Sequence, residues 1–212
     1  MNYQKYQNAR NISWKLLLDL KINSLPVKIT AILKALEIPI YKYGDSQTLI
    51  QNRRLDGLTQ TSDGFTIAEG NRCFIFYNEK QTAQRLRFTL AHELGHILCG
   101  HLGKTEGFAV TIKNREPSAN DGPEEQEANV FASRLLAPAC VLHELGLFTA
   151  KEIAEHCQIS IQSATFRLEQ LLELERRQQE FLQTKGHGCF YLHPLEREVY
   201  NQFKDYIDKN KL

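Results

Sequence analysis

Arg85-Leu86-Arg87-Phe88-Thr89-Leu90-Ala91-His92-Glu93-Leu94-Gly95-His96-Ile97-Leu98-Cys99-Gly100 is the stretch on which the fold turns. Phe88, Ala91, Gly95 and Leu98 recur at steps of three and four, the period of a helix that buries one face. Gly100 supplies a stop, because glycine tolerates the left-handed conformation in which helices commonly end. Within this helix residues 92–96 read H-E-x-x-H. Four residues turn a helix by about 400°, so His92 and His96 stand one turn apart on nearly the same face and can grip one cation. Glu93 then lies beside the open position of that ion.

The chemistry expected of such a pair is hydrolytic. Zinc with three protein ligands retains an acidified water, and a neighbouring carboxylate can take its proton. Glu93 is therefore read as general base, and afterwards as proton donor to a leaving amine. A third ligand must converge from elsewhere, and the candidates are His101, Glu124, Glu125 and Glu127. His101 follows His96 by five residues, whereas the H-E-x-x-H-x-x-G-x-x-H pattern needs six and here has Leu102. His101 is accordingly read as a side chain past the helix end, in solvent or behind a ligand. Among the glutamates helical phase favours Glu125: its stripe runs Ala128, Asn129, Ala132 and Leu136, small residues that let two helix backbones approach. The stripe of Glu127, with Val130, Phe131 and Arg134, is bulkier. Asn129, one turn beyond Glu125, is placed to reach the outer ring nitrogen of a ligating histidine and fix its orientation. A group to stabilise the oxyanion is expected as well, and nothing in the sequence ranks Tyr77, His143 and Tyr191 for that role.

Outward from this centre, residues 10–24 read as a buried helix through Ile12, Trp14, Leu16, Leu17, Leu18, Leu20 and Ile22. A second helix is expected from a Ser24 cap, with Pro26 in its first turn, to Leu36. Residues 39–43 suggest a short strand, 44–63 a polar connection, and 65–68 with 73–77 a β-hairpin. That hairpin either offers an unpaired edge to an extended peptide or merely covers the core. Residues 102–122 read as a loop-rich connection with a strand at 108–112. Asp121-Gly122-Pro123 starts the helix that carries Glu125, and Pro138 ends it. Residues 149–168 have the cadence of a helix-turn-helix, with Thr149 and Ser160 as caps. Gln162, Ser163 and Arg167 make it a poor reader of DNA beside Glu152 and Glu155, so a structural or docking role is expected. The charged run at Glu173, Glu175, Arg176 and Arg177 reads as a solvated face, and a last helix follows Pro194. His187, Cys189 and His193 have the spacing of no standard zinc site and are read as structural.

The 212 residues carry a net charge of +1, which gives no electrostatic footprint for nucleic acid. Five cysteines, at 73, 99, 140, 157 and 189, are odd in number and never paired as C-x-x-C; a disulfide framework is not expected. With no signal-like or membrane-length apolar run, a cytoplasmic protein is expected.

The block from Arg87 to His96, followed by Glu125-Gln126-Glu127-Ala128-Asn129-Val130-Phe131-Ala132-Ser133-Arg134-Leu135-Leu136-Ala137-Pro138, resembles the ImmA/IrrE family of metallopeptidases over most of residues 12–175. Its thermolysin-like relatives carry a glutamate ligand in an E-x-x-[AS]-[DN] register, which Glu125 to Asn129 fits. The Leu25-Pro26-Val27 entry is similar too, while Ala137 departs from the methionine usual before the proline. The resemblance implies an α+β fold: a zincin-like core of helices and a small sheet over residues 1–148, a helix-turn-helix-like segment over 149–180, and a C-terminal helical tail over 181–212. It also implies a zinc enzyme, with manganese as the alternative ion, held by His92, His96 and Glu125. Its expected substrate is a helix-turn-helix repressor whose cleavage relieves repression in a phage, other mobile element or stress response. Two rival readings stand beside it: a metal-binding anti-repressor that sequesters its target, and a transcription regulator using residues 149–168.

Overall fold

The apolar residues that open the chain form helix α1 (Gln7–Asp19), which buries Trp14, Leu16 and Leu17. The computed structural model describes residues 6–102, 108–114, 122–185 and 193–211. Helix α1 ends earlier than the period suggested, and Lys21 turns the chain with φ +52°. The second helix also differs from expectation. Leu25 and Val27 are buried around a less buried Pro26, the alternation of an extended segment, and the Leu25–Pro26 peptide is cis. Helix α2 (Ile29–Ala35) therefore starts only after Lys28 and owes nothing to Ser24 or Pro26.

Strand β1 (Ile40–Lys42) follows, then a single 3₁₀ turn at Gly44–Ser46. The polar connection read over 44–63 contains two short helices, α3 (Gln47–Asn52) and α4 (Asp56–Thr61). Ile50 is the only residue of α3 that is fully buried, and α4 has none, so neither shows an apolar period. Strands β2 (Ser62–Glu69) and β3 (Arg72–Tyr77) form the expected hairpin, with Gly70 at φ +57° in its turn. Next come helix α5 (Ala83–Cys99), strand β4 (Phe108–Asn114) and helix α6 (Pro123–Leu136). Pro123 heads α6, while the Asp121 proposed as its cap lies outside the described residues.

Among the described residues the strands form a four-stranded sheet in the order β1-β3-β2-β4, with β1 parallel to β3 and the other pairs antiparallel. Both hairpin strands are thus interior, and the edges belong to β1 and β4; the hairpin offers no edge to a peptide. Strand β2 is buried from Ser62 to Ala68 because it is covered on both faces. Phe65 and Ile67 pack with Tyr43, Ile50 and Phe76 on one side, where Phe65 and Phe76 stack with ring centroids 5.2 Å apart. Gly64 and Thr66, one residue out of phase, face α5. These elements belong to one compact unit, Met1–Ile12 with Lys28–Ala132.

A second unit, Ser13–Val27 with Ser133–Leu212, is helical among its described residues. It contains α7 (Ala139–Glu144), α8 (Ala150–Cys157), α9 (Ile161–Lys185) and α10 (Pro194–Asn210). Thr149 and Glu152 close a capping box on α8, and Ser160 Oγ accepts the Ser163 amide at 3.1 Å on α9, as the sequence indicated. Helix α9 then runs for 25 residues. Arg167, counted among its sparse polar contacts to DNA, is buried and donates from Nε to the Ala137 carbonyl at 2.7 Å. Gln202 Nε2 donates to the carbonyls of Leu17 at 2.8 Å and Ile22 at 2.7 Å, joining α10 to the residues around the end of α1. His193 caps α10 by accepting the Leu195 amide at 3.2 Å, and its ring centroid lies 5.2 Å from that of Trp14 with the planes tilted; His187 and Cys189 lie outside the described residues. Among the described residues no disulfide joins Cys73, Cys99, Cys140 and Cys157. No described helix is long and apolar enough to cross a membrane.

Candidate metal centre

Helix α5 is anchored at both ends by local chemistry. Thr82 accepts the Arg85 amide at 3.3 Å at its start, and Gly100 at φ +80° ends it. Between these caps Thr89 to His96 is continuously buried, against the sheet on one side and α6 on another. Two glycines permit the approach. A Cβ at Gly64 would fall 2.6 Å from Thr89 Cγ2, and one at Gly95 would fall 3.1 Å from Ala128 Cα. The small-residue stripe of α6 thus meets the helix that carries the histidines, as helical phase required.

That approach brings His92, His96 and Glu125 together. The two imidazole Nε2 atoms are 3.0 Å apart. Glu125 places Oε2 3.2 Å from His92 Nε2 and Oε1 3.0 Å from His96 Nε2. A tetrahedral ion with bonds of about 2.0–2.1 Å separates its ligand atoms by roughly 3.3 Å, so the three donors stand at the separations of one coordination shell. Two imidazoles and a carboxylate are also a donor set that suits zinc. Burial raises the Glu125 carboxyl, but hydrogen bonds and charge from His92 and His96 outweigh it and hold the group well below the usual carboxylate range. The histidines are essentially inaccessible and the Glu125 side chain is 24% exposed, which leaves the carboxylate side open.

Around the donors stand groups of two kinds. Asn129 Oδ1 lies 2.9 Å from His92 Nδ1, the contact anticipated for it. An amide oxygen only accepts, so His92 carries a proton on Nδ1, and it is through Nε2 that the ring would ligate an ion. Glu93 is fully buried next to His92, and Thr66 Oγ1 donates to its Oε2 at 2.6 Å. Thr111 Oγ1 donates to the same oxygen at 3.3 Å. Thr66 and Thr111 are direct cross-strand partners in the β2–β4 register, so both hydroxyls issue from one spot on the α5 face of the sheet. Sequence reasoning missed both threonines, because only strand register brings them together.

His101 and Glu127 were set aside as ligands, and neither places a donor atom among those of His92, His96 and Glu125. They meet each other instead. His101 Nε2 is 3.2 Å from Glu127 Oε2, and its Nδ1 is 3.0 Å from His96 Nδ1. Tyr77 closes strand β3, His143 sits in the second unit 3.4 Å from Glu144 Oε1 and 3.7 Å from Glu175 Oε1, and Tyr191 lies outside the described residues.

No curated protein matches the chain in sequence. Residues 48–169 match the family model described as IrrE N-terminal-like domain, a peptidase family designated Peptidase_M78. The matched span takes in strands β2 to β4, helix α5 with its histidines and helix α6 with Glu125, and it covers more than half of the chain. With the donor cluster in place on those helices, the chain belongs to this ImmA/IrrE family of metallopeptidases.

Proposed function

We propose that the protein is a zinc-dependent endopeptidase, in which His92, His96 and Glu125 hold the ion and Glu93 moves the proton. Manganese is the alternative ion for the same donors. The observation that carries the reading is the convergence of two Nε2 atoms, 3.0 Å apart, on one carboxylate. A divalent ion held there supplies Lewis acidity, acidifying water and polarising an amide carbonyl. Thr66 and Thr111 fill the lone pairs of Glu93 Oε2 and fix the carboxylate plane. Proton acceptance therefore falls to Oε1, and the same oxygen returns the proton to the amine that leaves. Asn129 holds the His92 ring in the tautomer that ligation needs.

The substrate we propose is a helix-turn-helix repressor of a phage, other mobile element or stress response, cut in the cytoplasm to release transcription. Support for it is the family alone. The burial of Arg167 argues against direct reading of DNA by α9. Coexpression with the nearest neighbouring repressor gene tests the reading: a shortened repressor should appear with the native chain and not with Glu93→Gln, which should retain its metal. If Glu93→Gln relieved repression as well as the native chain, sequestration rather than proteolysis would be the mechanism.

A further inference from the structure

His92 and His96 are oriented by different devices. The ring of His92 has Asn129 against it directly. Among the described residues the ring of His96 has no such amide; its Nδ1 faces another imidazole, His101, with ring centroids 5.0 Å apart and planes 76° to one another. A contact between two imidazole nitrogens leaves the proton's position open unless something further along decides it.

We propose that Glu127 and His101 are a two-step positioning relay that holds the ring of His96 for metal ligation through Nε2. The proposal rests on the reading of His96 as a metal ligand. Glu127 can only accept, so His101 donates from Nε2 across the 3.2 Å contact. A neutral imidazole carries one N–H. Having placed it on Nε2, His101 must accept at Nδ1, and His96 must donate from Nδ1 across the 3.0 Å contact. His96 donating from Nδ1 would then ligate through Nε2, the atom that stands 3.0 Å from both Glu125 Oε1 and Nε2 of His92. Each step follows from the one before it, and the chain begins at a carboxylate two residues from the Glu125 ligand on the same helix. A metal-ligating histidine held through its outer nitrogen by a carboxylate is a common arrangement; here a second imidazole is interposed.

The local fold explains the interposition. His96 lies in the last turn of α5, and the helix closes with Gly100 in the left-handed conformation, which lets the His101 amide bond back to the His96 carbonyl at 3.0 Å. That turn folds the His101 ring onto the ring of His96 and buries it, with only 5% of the side chain exposed. His101 is thus too far along the chain for the metzincin ligand position, and it is well placed for the relay.

The test uses the full chain in metal-free and zinc-loaded forms. Long-range ¹H–¹⁵N correlation of its ¹⁵N-labelled histidines should place the His101 proton on Nε2 in the zinc-loaded native protein. For His101→Phe and Glu127→Ala, competition with a chromophoric chelator should show zinc affinity falling about 10–100-fold in each. The double variant should be no worse than the worse single one, because the two residues act in series. His101→Gln, which keeps one acceptor and one donor without the ring, should recover most of the affinity. Loss of packing alone predicts the reverse, with Phe tolerated and Gln not.

A zinc-loaded native chain with His101 protonated on Nδ1 would overturn the relay without recourse to any variant. So would zinc affinity unchanged in both single variants. A second zinc equivalent lost in Cys99→Ala would also overturn it, since Cys99, His101 and Glu127 offer donor atoms within 4.8 Å of one another and His101 Nε2 would then be a ligand. A native chain that bound no metal would refute the metal reading itself, whereas zinc binding with His101 protonated on Nδ1 would refute only the relay.

Discussion

Replacing Gly95 by alanine sets two opposing effects of known sign against each other. Glycine inside a helix is worse than alanine by about 0.5–1 kcal/mol, so an isolated helix would gain from the change. The added Cβ, however, would sit 3.0 Å from Phe131 Cδ1, 3.1 Å from Ala128 Cα and 3.2 Å from Ala128 O, where ordinary contact begins at 3.4 Å. The Phe131 ring can tilt, but the Ala128 backbone cannot yield unless α6 moves by about 0.3 Å, the difference between 3.1 and 3.4 Å. Overpacking of this kind costs about 1–3 kcal/mol, and the net change should be a destabilisation of about 0–2 kcal/mol. Glu125 lies three residues before Ala128, so the displacement reaches a carboxylate whose contacts are 3.0 and 3.2 Å. We expect zinc affinity to fall about tenfold, or about 1.4 kcal/mol. Urea denaturation of the metal-free protein measures the first quantity and chelator competition the second. A variant stabilised by the full propensity gain, binding zinc like the native chain, would refute the close-approach argument.

Thr66→Val removes the 2.6 Å hydrogen bond to Glu93 Oε2 with little change of shape. A hydrogen bond to a charged acceptor contributes about 1.5–3 kcal/mol, so kcat should fall tenfold or more with KM nearly constant, and Thr111→Val, at 3.3 Å, should do less. The opposite order in steady-state kinetics would contradict the assignment of Thr66 as the main positioning group. Because His92 and His96 come from α5 and Glu125 from α6, zinc at a hundred times its dissociation constant should stabilise the fold by about 2.7 kcal/mol. Calorimetry with and without chelator reads this, and an unchanged melting temperature would exclude a site spanning both helices. Loss of Glu125 should weaken zinc retention far more than loss of Glu127; equal losses by elemental analysis would undo the choice of ligand. Burial, followed by the charge of Glu127, pushes the Cys99 thiol up to about 12. The thiol therefore stays protonated until the pH climbs toward that value, and at pH 8 it should alkylate roughly three orders of magnitude more slowly than a free cysteine. Mass spectrometry of the iodoacetamide-treated protein would show the difference.

What could be read from the sequence depended on whether an interaction was local. Helix α5 and the pair His92 and His96 followed from a period of 3.6 and a spacing of four, and the β2–β3 hairpin from two apolar runs around Gly70. Glu125 was reachable because small residues repeat along one face of α6, a property of that helix alone. The sheet order was not reachable: β4 arrives on β2 after a long connection, and nothing in residues 108–114 specifies that partner. Thr66 and Thr111 escaped for the same reason, since their common target appears only once strands are in register. Glu127 was passed over as the bulkier alternative for a single role. Its contact with His101 depends on the turn at Gly100 folding the chain back, which a spacing rule for ligands does not consider. Short helices such as α3 and α4 bury too little to leave a periodic trace.

The bonds from Gln202 to the carbonyls of Leu17 and Ile22 span 185 and 180 residues, and this separation imposes an order on biosynthesis. Translation delivers His92, Glu93, His96 and Glu125 while residue 202 has yet to be polymerised. The metal-binding unit can therefore mature on the ribosome, in keeping with the general tendency of units to fold as they emerge. Trp14 and Leu17, made long before α10, must wait for that helix before their own unit is complete. During that interval they are the segment a nascent-chain chaperone would be expected to hold.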